Sequence, residues 1–318
     1  MAMHASVDDT APRAIDVRGL RKTFGELIAV DSLDLTVPPG EIFGLVGPDG
    51  AGKTTTMRML CGILDPDAGE AQVAGADVRR QPEAVKRRIG YMSQRFSLYG
   101  DLTVAENLRF YAKIYHVPEA ERRRREEELL AFSRLAPFRA RQAQYLSGGM
   151  KQKLALACTL IHTPTVLFLD EPTTGVDPVS RREFWKILYA LLKDGVTVFV
   201  STPYMDEAER CHRVALMDRG RLLRCDTPAA LKRQMQGELL EIMAEPQREA
   251  KALLSAHPQV RGVQVFGDRL HVWVDRAGIN EGALRAALQQ RDVIVSHVRR
   301  VIPSLEDVFI SMVAGGRR

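Results

Sequence analysis

The sequence predicts an α/β fold built on a mainly parallel sheet, followed by a small α+β domain. Three observations lead there. Apolar runs at 41–46, 165–169 and 196–201 alternate with segments of helical spacing, as in a parallel sheet with helices on its faces. The first run leads into Gly47-Pro-Asp-Gly-Ala-Gly-Lys-Thr-Thr55, and Met57, Leu60, Cys61 and Leu64 then recur at helical spacing. Strand, glycine loop and helix in that order are the context of a phosphate-binding loop. Beyond about residue 235 the order becomes β-α-β-β-α-β, the ferredoxin-like motif.

Taken in order, residues 1–13 are expected to be disordered. Segments 14–20 and 29–37 alternate like strands, with a break at Phe24-Gly25. The loop comprises Gly47, Pro48, Asp49, Gly50, Ala51, Gly52, Lys53, Thr54 and Thr55. A triphosphate needs many donors within about 3 Å. Gly47, Gly50 and Gly52 let the backbone wrap the phosphates with its N–H groups inward. The helix that follows adds its positive end. Lys53 reaches the β- and γ-phosphates, and the Thr54 hydroxyl ligates Mg²⁺.

Residues 64–69 read as a turn, and 84–91 lead to Gln94 in Tyr-Met-Ser-Gln. Segments 103–115 and 118–135 read as helices. Within the second, Arg122 to Arg125 lie between Glu119/Glu121 and Glu126–Glu128. Those charges pair along a helix face, which argues against a nucleic-acid patch despite a net charge of +5. A further helix, 145–162, is entered through Ser147-Gly148-Gly149, and 181–192 is amphipathic. In the C-terminal part, 239–243, 260–266, 270–275 and 293–298 read as strands. Segments 248–256 and 281–290 read as helices, and Gly267-Asp268 as a hairpin turn.

The chain of 318 residues suggests two domains, 45% hydrophobic and 27% charged as in globular proteins. No apolar run approaches the ~18 residues of a membrane helix, and no signal peptide is expected at the N-terminus, which carries Asp8 and Asp9. The cysteines Cys61, Cys158, Cys211 and Cys225 form no close pair. Buried reduced thiols, suited to the cytosol, are the reading.

Two further stretches carry chemistry. Val166-Leu-Phe-Leu-Asp170-Glu171 brings two carboxylates to the carboxyl end of a strand, where ligands of parallel sheets bind. Asp170 would help hold Mg²⁺, and Glu171 would act as general base on a water attacking the γ-phosphorus. In Tyr145-Leu-Ser-Gly-Gly-Met-Lys-Gln152, Ser147 can cap a helix while Gly148 and Gly149 leave N–H groups open. This makes a second anion site, or simply a capped helix start.

The combination resembles the nucleotide-binding subunit of ATP-binding cassette (ABC) transporters, over roughly residues 14–235 with the motifs in the family's order. The resemblance implies a P-loop core with a helical subdomain at about 95–162 and an antiparallel β subdomain. It implies that Ser147, Gly148 and Gly149 bind the γ-phosphate held by a second subunit, so that ATP is sandwiched in a head-to-tail homo- or heterodimer. Gln94 matches the glutamine that senses Mg²⁺ and the membrane partner. Phe24 matches the aromatic that stacks on adenine, the alternative being a core Phe, and Asp177 matches an aspartate that communicates across the dimer. Pro203 stands where the family usually has a histidine on the γ-phosphate.

Residues 236–318 form the accessory α+β domain in this reading. There Pro303-Ser-Leu-Glu-Asp-Val-Phe-Ile310 is similar to the ending of ATP-binding subunits of multidrug and antibiotic exporters. Those serve separately encoded ABC-2 type permeases, so the expected site of action is the cytoplasmic face of the cell membrane. Phe96 and Leu98 are expected to line a groove receiving a permease helix. Two alternatives stay open: a soluble ABC-type ATPase acting on nucleic acid or ribosomes, and a slow-turnover regulatory ATP-binding module.

Overall fold

The computed structural model describes residues 13–95, 98–235, 237–275 and 281–315. The expectations for residues 1–12 and for Phe96 lie outside the described residues. The chain divides into two compact units between Asp226 and Thr227. The sequence-based boundary at 235 falls later. The segment 228–234 is a helix that packs against the last helix of the chain, which assigns it to the second unit.

The first unit runs β1 (Ile15–Phe24), β2 (Leu27–Val37), β3 (Ile42–Val46), α1 (Lys53–Leu60), β4 (Ala68–Val73), β5 (Ala76–Asp77), α2 (Pro82–Arg88) and β6 (Ile89–Met92). It continues with α3 (Val104–Ile114), α4 (Glu119–Phe132), α5 (Gly148–Leu160), β7 (Val166–Asp170), α6 (Pro178–Lys193), β8 (Thr197–Thr202), α7 (Met205–Ala208), β9 (Arg213–Asp218) and β10 (Arg221–Asp226). One sheet has the order β10-β9-β3-β8-β7-β6. All its pairs are parallel except β9–β10. The second, antiparallel sheet has the order β2-β1-β4-β5.

Every residue of β3, β7 and β8 is buried, which is why they read as unbroken apolar runs rather than alternating ones. Helix α1 packs against β2 and β4 of one sheet and β7 of the other. Met57, Met59 and Leu60 thereby join Phe43, Phe168 and Phe199 in one buried core. The rings of Phe43 and Phe199 stack at 5.3 Å. Helix α6 covers β3 and β8. The phosphate loop is thus the link between a central strand and a helix fixed between two sheets.

Helices α3, α4 and α5 pack on one another. Thr103 and Glu106 form a reciprocal capping box at the start of α3. On α4 the arginine run is paired as expected: Arg122 with Glu119 at 2.6 Å, Arg124 with Glu128 at 2.6 Å and Arg125 with Glu128 at 3.0 Å. The helix expected over 145–162 begins at Gly148. Ser147 has an extended backbone, and its hydroxyl accepts from Met150 N–H at the cap. Strands β4, β5, β6, β9 and β10 and helices α2 and α7 were not separated in the sequence reading. All of these are seven residues or shorter, too short for a clear period.

The second unit comprises α8 (Pro228–Gln234), β11 (Glu238–Glu245), α9 (Gln247–Ser255), β12 (Val260–Phe266), β13 (Arg269–Val274), α10 (Glu281–Gln289), β14 (Ile294–Val301) and α11 (Leu305–Gly315). Its sheet is antiparallel throughout, in the order β12-β13-β11-β14. With β11 taken as its first strand, this is the ferredoxin-like order expected from the β-α-β-β-α-β pattern. Gly267, at φ 58°, makes the hairpin turn. Leu305 and Val308 of α11 are fully buried and Phe309 and Met312 partly so, which gives the helix one apolar face.

Candidate active site

The site is built at the carboxyl ends of β3, β7 and β8. The glycines of the loop have different reasons to be glycine. A Cβ on Gly47 would lie 2.1 Å from the Met217 carbonyl oxygen, and one on Gly52 would lie 2.3 Å from that of Ala29. Gly52 also has φ 101°, in the left-handed region. Gly50, at φ 78°, faces open space and needs only its backbone conformation. Ala51 is buried, and its carbonyl accepts from Gly220 N–H at 2.9 Å. Pro48 and Asp49 are exposed on the rim and Thr55 is partly buried. Gly52 gives α1 no side-chain cap, so the first-turn N–H groups face the loop.

Lys53 is 4% exposed. Its ammonium donates to the carbonyls of Gly47 at 2.8 Å and Pro48 at 3.0 Å, and lies 3.4 Å from Glu171 Oε1. Gln94 Nε2 donates to Glu171 Oε2 at 2.9 Å. The Thr54 hydroxyl donates to Asp170 Oδ1 at 3.1 Å. Lys53, Thr54, Gln94, Asp170 and Glu171, expected from three separate motifs, therefore meet at one place.

Glu171 has φ 49°, a conformation costing an L side chain ~1 kcal/mol or more. Its N–H donates to both the carbonyl and the hydroxyl oxygen of Ser201, each at 3.1 Å. Ser201 Oγ in turn donates to Asp170 Oδ1 at 2.6 Å. Ser201 thus orients both acids, a role the sequence reading did not assign. The available signal was a hydroxyl pair, Ser201-Thr202, directly after the apolar Val198-Phe199-Val200 of the strand.

Asp170 Oδ2 is buried without a hydrogen-bond partner. A buried carboxylate oxygen left open, beside the Thr54 hydroxyl, is a donor set that fits a hard divalent cation, which takes further ligands from phosphate and water. Burial, and behind it the Asp170 charge, raise the Cys61 thiol and push Tyr91 up to about 12. Both groups stay neutral at physiological pH. Burial likewise raises the Cys158 thiol, in keeping with inert core cysteines.

Ser147, Gly148, Gly149 and Asp177 form a second cluster. Asp177 caps α6, accepting from Val179 N–H at 3.0 Å and Ser180 N–H at 2.9 Å. A Cβ on Gly149 would fall 2.5 Å from Ser180 Oγ, so the starts of α5 and α6 are packed together. Ser147 and Gly148 are exposed. Among the described residues no hydrogen bond joins this cluster to Lys53 or Asp170. Phe24 ends β1 with 49% of its surface exposed and Lys22 Nζ 5.7 Å from the ring centroid, so it is not a core residue. Pro203 follows β8 directly and is partly buried.

A glycine loop on a helix start, a strand-end Asp-Glu pair, a glutamine on the Glu and a separate capped glycine pair together define a P-loop ATPase domain of the cassette type. Residues 30–174 match the ABC transporter family model, and 227–313 match the C-terminal domain of DrrA1-3-like ATP-binding proteins. The chain is 42% identical over 306 residues to the probable multidrug ABC transporter ATP-binding protein YbhF of Escherichia coli K12, covering 95% of this chain but 52% of that relative. The chain therefore spans about half the length of that relative. It is 37% identical over 312 residues to the daunorubicin resistance ATP-binding protein DrrA3 of Streptomyces coeruleorubidus, covering 97% and 98% of the two chains. Among solved structures it resembles the ATP-binding cassette MJ0796, a dimer in a post-hydrolysis state bound to ADP and Pi, with a TM-score of 0.61 and 26% identity over 67% of this chain and 98% of that one. The chain belongs to the family of ABC transporter ATP-binding proteins. No helix among its described residues is long and apolar enough to cross a membrane.

Proposed function

We propose that this chain is the ATP-hydrolysing subunit of a drug-type exporter, acting with a second ATP-binding subunit on a membrane permease at the cytoplasmic face. The observation that carries the chemistry is the junction of Lys53 with the Asp170-Glu171 pair at the end of β7. Lys53 has three donors, of which two go to loop carbonyls and the third faces Glu171. A γ-phosphate offered to that ammonium competes with Glu171 and leaves the carboxylate as acceptor for a water proton. Thr54, Asp170 and Gln94 are the residues that would hold Mg²⁺, which when bound neutralises phosphate charge. Phe24, exposed at the end of β1, is the adenine platform in this reading. Ser147, Gly148 and Gly149 serve the nucleotide of the opposite subunit, and Asp177 sets their position through the α5–α6 contact.

For the permease, a cavity of about 360 Å³ opens beside the catalytic glutamine, lined by Gln94, Arg95, Leu98, Gly100, Gln144 and Lys151. Its wall is braced by the buried Asn107 side chain, which donates to the carbonyls of Tyr99, Leu102 and Thr103. A helix of the permease seated there would touch Gln94 and so bear on Glu171. Pro203 supports one second reading, a slow-turnover regulatory module, because it provides neither imidazole nor N–H. The decisive test is Glu171→Gln in the purified chain. ATP binding should persist, phosphate release should fall by about two orders of magnitude or more, and an ATP-bound dimer should accumulate. Unchanged phosphate release would refute the assignment of the base.

A further inference from the structure

Glu207 has no solvent exposure, lies outside the set of residues described for the reaction, and belongs to the four-residue helix α7 that follows Pro203. A carboxylate removed from water persists only where it is fully bonded, so its partners say what it is for. The Thr173 hydroxyl donates to Oε1, and the Thr202 hydroxyl donates to Oε2 at 2.8 Å. Arg181 of α6 lies 3.5 Å from Oε1, with its guanidinium 4.8 Å above the Tyr204 ring. Each threonine belongs to a different part of the active site. Thr173 is in the turn that carries Glu171, where Thr174 N–H donates to the Glu171 carbonyl at 3.2 Å and Thr174 Oγ1 lies 3.5 Å from Glu171 Oε2. Thr202 is the last residue of β8. Its carbonyl accepts from Gly47 N–H at 3.4 Å and its hydroxyl accepts from Tyr204 N–H at 3.0 Å.

We propose that Glu207 is a positioning residue for ATP hydrolysis: it clamps the Glu171 turn to the end of β8 and hence to the phosphate loop. The proposal rests on Glu171 being the base. Glu171 sits in a left-handed conformation that its own covalent geometry does not favour. Ser201 holds it from its N–H side, and the Thr173–Glu207 bond holds the other end of the same turn. In a chain with Pro203 in place of a phosphate-contacting side chain, this clamp sets the segment after β8 from within the protein.

The test uses the full purified chain with Glu207→Gln, Thr173→Val, the double variant and Glu171→Gln in parallel. Glutamine keeps the volume of Glu207 but offers one acceptor oxygen instead of two. Valine removes only the Thr173 hydroxyl. Each single variant should lower single-turnover kcat by about tenfold to a hundredfold, with KM for ATP and nucleotide affinity within about twofold of the parent. The double variant should be no slower than the worse single one, because either change alone opens the same Thr173–Glu207–Thr202 link. Parent-like kcat in Thr173→Val and Glu207→Gln, with Glu171→Gln inactive, overturns the clamp while leaving the base in place. Additive losses, or losses of kcat that follow raised KM and lowered Tm, overturn it in favour of a merely structural role. A Glu171→Gln variant that still hydrolyses ATP removes the base and the clamp together. If Glu207→Gln does not fold, Thr173→Val decides alone.

Discussion

A single backbone angle shows how much chemistry rests on individual residues here. Glu171 would relax out of φ 49° without Ser201 and the turn behind it, and its carboxylate is where Lys53 and Gln94 converge. Pro203 is the residue-scale departure from the family pattern. Losing one preorganised donor to the γ-phosphate costs about 10²–10³ in rate. In the proposed function Lys53, the cation ligands and the opposing Ser147 loop would still neutralise the phosphate, so turnover should suffer more than affinity. Pro203→His should therefore raise the single-turnover rate of the purified dimer, by about tenfold or more, with ATP affinity little changed. No gain in the variant, from a parent already as fast as histidine-bearing relatives, would show that the position is not limiting.

At the scale of elements, the contact between the starts of α5 and α6 is the feature with the clearest consequence. Gly149 leaves no room for a methyl group beside Ser180, and Asp177 and Ser147 cap the two helices. The Ser147–Gly149 stretch and the Asp177 cap are therefore held against each other through the Gly149–Ser180 approach. Gly149→Ala should push the two helix starts apart, leaving ATP binding by the monomer close to parent while weakening ATP-driven dimerisation. Adding Ser180→Gly should restore it, because the clash is with that side chain. Sedimentation with and without ATP reads both. Dimerisation unaffected by Gly149→Ala would mean that the loop's position is not what the partner reads. Most elements could be read in the sequence from local rules. Buried strands showed as apolar runs, and the Ser147 hydroxyl before its glycines marked a helix start. Strand β9 is buried from Val214 to Met217 like those strands, but its apolar run is short and flanked by the charges of Arg213 and Asp218, which hides it in the sequence.

At the scale of the whole molecule, a buried carboxylate makes the second unit sensitive to acid. In the second unit Glu241, 6% exposed, bonds Arg299 at 2.7 Å and Arg269 at 3.0 Å. Arg299 first, and Arg269 after it, hold its carboxyl down to about 2, against 4.5 for an ordinary glutamate. A lowered pKa in the folded state means stability that is complete above 4.5 and is lost as pH falls toward 2. The second unit should accordingly lose structure across that window. Trp273 lies in it, and Trp185 in the first unit, so tryptophan fluorescence in a Trp185→Phe background isolates the event. Glu241→Gln should flatten the acid dependence and lower stability at neutral pH. An unchanged slope would place the acid sensitivity elsewhere.

The sequence by itself determined the phosphate loop, the strand-end acids, the Ser147 cap and the β-α-β-β-α-β order of the second unit. Each of those follows from residues within a few positions of one another: a glycine where φ is positive, a hydroxyl before a helix, an apolar run as long as a strand. Tertiary structure decided what those pieces meet. Thr54 and Asp170, 116 residues apart, touch because β3 lies next to β8 and β8 next to β7. Ser201 and Glu207 became site residues only through that neighbour order. The domain boundary moved to 226 because α8 packs on α11. Backbone hydrogen bonding makes any strand a fit partner for any other. Which strands become neighbours is settled by how the whole chain buries its apolar faces, and no local stretch of sequence carries that information.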